Sequence, residues 1–97
     1  MPDPDRADLT RYAKVAFGEP VFLGSRCVLG FPKEQTIRRH LTEGIALSDL
    51  AAPVHIATGC IIGSHVVIHE GASIGPGCVI DDSTRIGYDA RLARIVQ

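Results

Sequence analysis

The stretch Ile56-Ala57-Thr58-Gly59-Cys60-Ile61-Ile62-Gly63-Ser64-His65-Val66-Val67-Ile68-His69-Glu70-Gly71-Ala72-Ser73-Ile74-Gly75-Pro76-Gly77-Cys78-Val79 decides the fold. An aliphatic residue returns every six positions, at Ile56, Ile62, Ile68 and Ile74, and continues through Ile80, Ile86 and Leu92. Four places after each anchor stands a small or β-branched residue: Cys60, Val66, Ala72, Cys78, Thr84, Ala90 and Val96. Glycine follows the anchor at Gly63, Gly75 and Gly87. Neither the 3.6-residue period of a helix nor simple alternation yields a strict period of six. The polar residues and glycines between anchors mark turns.

Working upstream, Phe17-Gly18, Leu23-Gly24 and Leu29-Gly30 keep the same spacing, with Val21 and Cys27 at the small positions. From Leu29 to His55 the chain spans 27 residues, one hexad plus 21 inserted residues. Sixteen leading residues, ten hexads and the insertion account for all 97.

These hexads, typified by Ile62-Gly63-Ser64-His65-Val66-Val67 and Ile74-Gly75-Pro76-Gly77-Cys78-Val79, resemble those of the hexapeptide-repeat acyltransferases. The resemblance covers roughly residues 17–97. It implies an all-β fold, a left-handed parallel β-helix of about three coils, each made of three hexads. Coil one is then anchored by Phe17, Leu23 and Leu29, coil two by Ile56, Ile62 and Ile68, and coil three by Ile74, Ile80 and Ile86; Leu92 opens a fourth. Repeat folds usually end in an atypical cap, whereas here the hexads run to Gln97. The expectation is a fragment, a split product, or an edge covered by something else.

Two segments fall outside the repeat. Residues 1–16 are expected to be disordered or a short helix capped by Asp8 or Thr10 and running through Tyr12 and Val15. The insertion, about residues 31–53, is expected to begin with a short helix, entered near Pro32 and stopped by Gly44, with Ile37 and Leu41 on one face. A loop, Ser48 to Pro53, should follow. In the family such extruded loops often help form a neighbouring subunit's active site.

Composition narrows the functions. Ten basic and eleven acidic residues give a net charge of −1. That balance offers no electrostatic reason to bind nucleic acid or an anionic membrane. No apolar run approaches the length of a membrane span, and Met1-Pro2-Asp3-Pro4-Asp5-Arg6 has no signal-peptide core. A cytoplasmic protein is expected. Cys27, Cys60 and Cys78 all occupy the small inward position, which suits buried, inert thiols.

The resemblance implies transfer of an acetyl or other acyl group from acyl-CoA to an amine or hydroxyl of a small acceptor, a sugar or nucleotide-linked sugar. In several branches a histidine two places after an anchor is the general base. Here those positions hold Thr58, Ser64, Glu70, Pro76, Asp82, Tyr88 and Arg94, and none is histidine. The catalytic candidates are therefore His69, oriented by Glu70, and Tyr88 in Ile86-Gly87-Tyr88-Asp89-Ala90. His65 and His40 are weaker candidates. Arg38 and Arg39 are candidates for the phosphates of coenzyme A, against the alternative of a solvated charged helix face.

No metal is expected. A γ-carbonic-anhydrase-like zinc site needs histidines where this chain has Glu70 and Gly75, and His65 with His69 gives too few ligands.

The outward residues five after each anchor form three stripes: Phe22, Ile61, Val79 and Gln97; Val28, Val67 and Arg85; His55, Ser73 and Arg91. The first is apolar over three coils and marks a contact surface. With the trimeric habit of the family it implies a homotrimer. A non-catalytic trimeric assembly or binding module, or a split-chain partner, is the alternative function.

Overall fold

A computed structural model describes residues 9–93. The elements in chain order are β1 (Thr10–Arg11), β2 (Val15–Phe17), β3 (Phe22–Leu23), β4 (Val28–Phe31), α1 (Glu34–Glu43), α2 (Leu47–Leu50), β5 (Val54–Ile56), β6 (Ile61–Ile62), β7 (Val67–His69), β8 (Ser73–Ile74), β9 (Val79–Ile80), β10 (Arg85–Ile86) and β11 (Arg91–Leu92).

The strands make three parallel sheets, with strand orders β1-β4-β7-β10, β11-β8-β5-β2 and β3-β6-β9. We label these sheets A, B and C. From β2 onward, consecutive strands enter B, C and A in turn. The registers follow the anchors. Phe17 pairs with Ile56, Ile56 with Ile74 and Ile74 with Leu92 in sheet B. Leu23, Ile62 and Ile80 align in sheet C, and Leu29, Ile68 and Ile86 in sheet A.

The anchors and small positions together form the core: Leu23, Leu29, Ile56, Ile62, Ile68, Ile74, Val54, Val66, Cys27 and Cys60 are essentially inaccessible. Burying each such aliphatic side chain contributes about 1.5–3 kcal/mol. The three thiols are free and buried. Each points its Sγ at a carbonyl one coil on: Cys27 to Gly63, Cys60 to Gly75 and Cys78 to Ala93.

Each hexad turns at the third position after its anchor. Arg26, Gly59, His65, Gly71, Gly77, Ser83 and Asp89 all adopt positive φ there. Space is tight one place after the anchor: a Cβ on Gly63 would sit 2.7 Å from the Asp82 backbone nitrogen. The residues two after the anchor stitch adjacent corners. Ser64 Oγ accepts from the Ser25 N–H, the Ser64 N–H donates to Asp82 Oδ1, and Thr58 Oγ1 donates to the Glu19 carbonyl.

Residues 10–17 differ from the expected helix. They form β1 and β2, with Thr10 and Arg11 paired to Val28 and Leu29. The Thr10 and Tyr12 amides donate to the Cys27 and Leu29 carbonyls, Ala13 is buried, and Leu9 packs against the core. Ladder bonds and apolar burial outweigh a one-turn helix with no apolar stripe. The expected Asp8 cap and the rest of residues 1–8 lie outside the described residues, as do Arg94, Val96 and Gln97.

The insertion leaves β4 through a bulge at Gly30, whose φ of 78° lets Phe31 rather than Gly30 pair with His69. α1 follows and stops at Gly44, left-handed at φ 71°, whose N–H returns to the His40 carbonyl. Pro32 lies just before the helix rather than in its first turn. The expected Ser48–Pro53 loop is shorter, because Leu47–Leu50 closes as α2, with the Ala51 N–H bonded to the Leu47 carbonyl. No helix among the described residues is long and apolar enough to cross a membrane.

Candidate functional site

The site is built where the insertion folds back on sheet A. β7 ends at His69, and the register sets Phe31 of β4 beside it. His69 is 4% exposed. Its ring meets Phe31 and Tyr88 edge-on, at centroid distances of 5.6 and 4.4 Å. Arg85, on the next strand of the sheet, donates from Nη2 to His69 Nε2 at 3.2 Å. Arginine can only donate, so this bond places the imidazole hydrogen on Nδ1. Nδ1 is buried with no hydrogen-bond partner among the described residues. Burial first, and the Arg85 charge second, hold His69 below the usual histidine range. The ring is therefore neutral at pH 7.

Glu70 is equally buried, at 3% exposure, but serves the insertion rather than His69. Its Oε1 accepts from the Lys33 backbone N–H at 2.6 Å and from Thr36 Oγ1 at 2.7 Å. Its Oε2 accepts from the Ala52 N–H at 2.7 Å. Burial pushes this carboxyl up. The Ala52 and Lys33 amides, the Thr36 hydroxyl and the Lys33 charge outweigh burial and leave it below the ordinary value. One carboxylate thus ties the entry and exit of the insertion, and it lends a negative charge to the N-terminus of α1, where Lys33 makes no side-chain cap. The expected orientation of His69 by Glu70 gives way to this clamp.

Tyr88 does lie beside His69, as expected of two site residues. Its hydroxyl donates to the Pro32 carbonyl at 3.3 Å, and Lys33 Nζ lies 6.0 Å from its ring centroid. Lys33 in turn bonds Asp89 Oδ2 at 2.7 Å.

Arg38 and Arg39 do not act as a pair. Arg38 Nε meets Glu34 Oε2 at 2.8 Å and Arg39 Nε meets Glu43 Oε2 at 2.9 Å, one helical turn away in each case. Only Arg38 borders the larger groove, about 530 Å³, together with Phe31, Pro32, Ile37, Leu41 and Tyr88. His40 Nδ1 bonds the Ile45 carbonyl, and His65 is an exposed left-handed corner. Among the described residues no three His, Cys, Asp or Glu side chains group as metal ligands.

Sequence reasoning passed over Arg85 and Phe31. Arg85 was within reach, because its stripe with Val28 and Val67 follows from the register, and those three residues do align across β4, β7 and β10. With Phe31 and His69 they line a second recess of about 300 Å³.

No family model, curated protein or solved structure matches this chain. What the chain does must be argued from its own residues and the repeat they carry.

Proposed function

We propose that the three sheets are the faces of a left-handed parallel β-helix of the hexapeptide-repeat kind, and that the protein is an acyltransferase. It would move an acetyl or other acyl group from acyl-CoA to an amine or hydroxyl of a small acceptor, of the sugar or nucleotide-linked sugar class. The observation that supports this reading most is the anchor register carried through three sheets, with a helical insertion folded over the one corner where a neutral histidine meets a groove.

In this reading His69 is the catalytic base. Its neutral state suits that task, and Nε2 carries the lone pair. Arg85 must yield that nitrogen when the acceptor enters. The acceptor's O–H or N–H then passes its proton to Nε2 as it attacks the thioester carbonyl. The C–S bond breaks, and the departing CoA thiolate takes the proton from the imidazolium. Tyr88 packs the ring in place, and Glu70 holds the insertion that walls the groove. Arg38, released from Glu34, is the candidate contact for the CoA phosphates, with Arg39 further along the helix. Three unpaired thiols suit the reducing cytoplasm, where acyl-CoA is also found.

The test is release of free CoA from acetyl-CoA in the presence of a panel of amino and hydroxy sugars. His69→Ala should abolish turnover while circular dichroism stays unchanged. Undiminished turnover would remove His69 from the mechanism and make His40 the next base to examine.

A second reading, a non-catalytic homotrimeric module, is favoured by a different observation. Phe22, Ile61 and Val79 are 55%, 51% and 62% exposed and lie in register across sheet C. An apolar ladder of this kind is suited to burial against further copies of the chain. Native mass spectrometry with and without acetyl-CoA separates the two. A trimer that takes up acetyl-CoA favours the enzyme, and a trimer that binds nothing favours the module.

A further inference from the structure

We propose that the recess formed by Val28, Val67, Phe31, His69 and Arg85 on sheet A is a binding site for a small organic monocarboxylate, its carboxylate on the Arg85 guanidinium and its apolar body against the two valines and Phe31.

The recess joins two features that ask for different halves of one ligand. Its floor is the aligned pair Val28 and Val67, walled by the Phe31 ring. These surfaces offer no hydrogen bonds from their side chains, so what they select is apolar. At its edge, Arg85 is exposed and makes no ion pair with an acid among the described residues. By contrast Lys14, Lys33, Arg38 and Arg39 each face an acid. The neighbour Arg85 does have, His69 Nε2, takes one N–H and brings no charge. A guanidinium has five donors in a planar fork that matches a carboxylate, so donors and charge remain for an anion. A dicarboxylate or phosphate ester would lay its second charge against valine and phenylalanine, which is costly. A neutral apolar molecule would leave the guanidinium unused. A volume of about 300 Å³ is small for a ligand cavity and suits a body of roughly ten non-hydrogen atoms.

The site does not depend on the acyl-transfer reading, since no thioester or acceptor enters it by argument. It gives Arg85 a consequence for His69. An anion that draws the guanidinium toward itself also cancels the charge that disfavours the imidazolium.

The test uses the intact chain and two isosteric probes, benzoate and benzamide, followed by NMR of the valine methyls and the His69 ring. Benzoate should bind in the millimolar range and shift the Val28 and Val67 methyls. Benzamide, and benzoate with Arg85→Gln, should bind at least about tenfold more weakly, the worth of a hydrogen bond to a charged group. Bound benzoate should also move the His69 titration midpoint upward. The probe pair on the unaltered chain keeps the test decisive if the variant fails to fold. Equal binding of benzoate and benzamide would overturn the proposal. So would benzoate shifts confined to other residues, or no shifts at 20 mM probe, a concentration of about ten times the expected Kd.

Discussion

Replacing Glu70 with alanine should loosen the insertion at both ends while the coil stays folded. The side chain accepts three hydrogen bonds, from the Lys33 and Ala52 amides and the Thr36 hydroxyl. A buried amide stripped of its acceptor costs about 1–3 kcal/mol. Both amides belong to segments that can reach water once the clamp opens, so the low half of that range applies to each. Together with the charge lost from the start of α1, worth about 0.3–1 kcal/mol, the total is about 2–4 kcal/mol. A chain of this size has only about 5–15 kcal/mol to lose.

Glu70→Gln keeps the volume but turns one oxygen into a donor that faces a donor, and about 1–2 kcal/mol should go. Urea unfolding gives the stability change. Amide hydrogen exchange should show Lys33 and Ala52 exchanging at least about tenfold faster in the alanine variant, a loss of 1.4 kcal/mol or more of local protection. Acid should reproduce the effect. Because the folded-state pKa is depressed, the carboxylate's contribution is full above the ordinary glutamate value and is lost as pH falls through the folded value. Glu70→Gln should flatten that part of the stability–pH curve. A loss under about 0.5 kcal/mol in the alanine variant, with unchanged exchange at Lys33 and Ala52, would refute the clamp.

The remaining expectations are narrower. Gly63→Ala should cost about 1–3 kcal/mol by overpacking, because its Cβ would meet the Asp82 backbone, whereas Gly87→Ala, with nothing within 4 Å, should change stability by no more than about 0.5 kcal/mol; thermal melts of the two variants decide this. His69, depressed by burial and by Arg85, stabilises the fold fully above the ordinary histidine value, and that contribution is lost as pH falls through its folded value. Thermal midpoints measured from about pH 5 to 8 should therefore fall on the acid side, and His69→Gln should remove that slope. Ile61→Asp with Val79→Asp sets like charges opposite one another in sheet C, and native mass spectrometry should find monomer or little recoverable protein rather than an intact trimer.

The anchors could be read from sequence because a strict six-residue period leaves one register open, and every predicted anchor pairing from Phe17 to Leu92 recurs in the sheets. The same rule hid β1. Arg11 stands where an anchor would, and its rung is held by backbone bonds and by Ala13 and Leu9 rather than by an apolar side chain at the anchor. At the candidate site, periodicity places residues along the coil but is silent about what a 21-residue excursion brings back. His69 and Glu70 are neighbours in sequence, so a catalytic pair was the natural inference. The donors that claim Glu70 lie 37, 34 and 18 residues away. Arg85 was the opposite case, fixed beside the β7 strand by the register alone and missed because an exposed arginine carries no signal of its own.

The register also governs how such a chain can change length. Ile62 and Ile80 are stacked neighbours 18 residues apart, so removing Ile62 through Val79 would rejoin the backbone with every later side chain on its original face, one coil fewer. Removing six residues would keep the core positions inward but rotate all later strands to a different sheet, moving Arg85 away from its place beside Val67. Removing one would turn the downstream anchors toward water. Gains and losses in the repeat are therefore quantised in whole coils. The insertion escapes the rule because it leaves and returns at one corner, so its length can drift freely: doubling a flexible loop costs only about 0.6 kcal/mol. Variation of size and chemistry in proteins of this plan should accumulate there, while the coil beneath changes in steps.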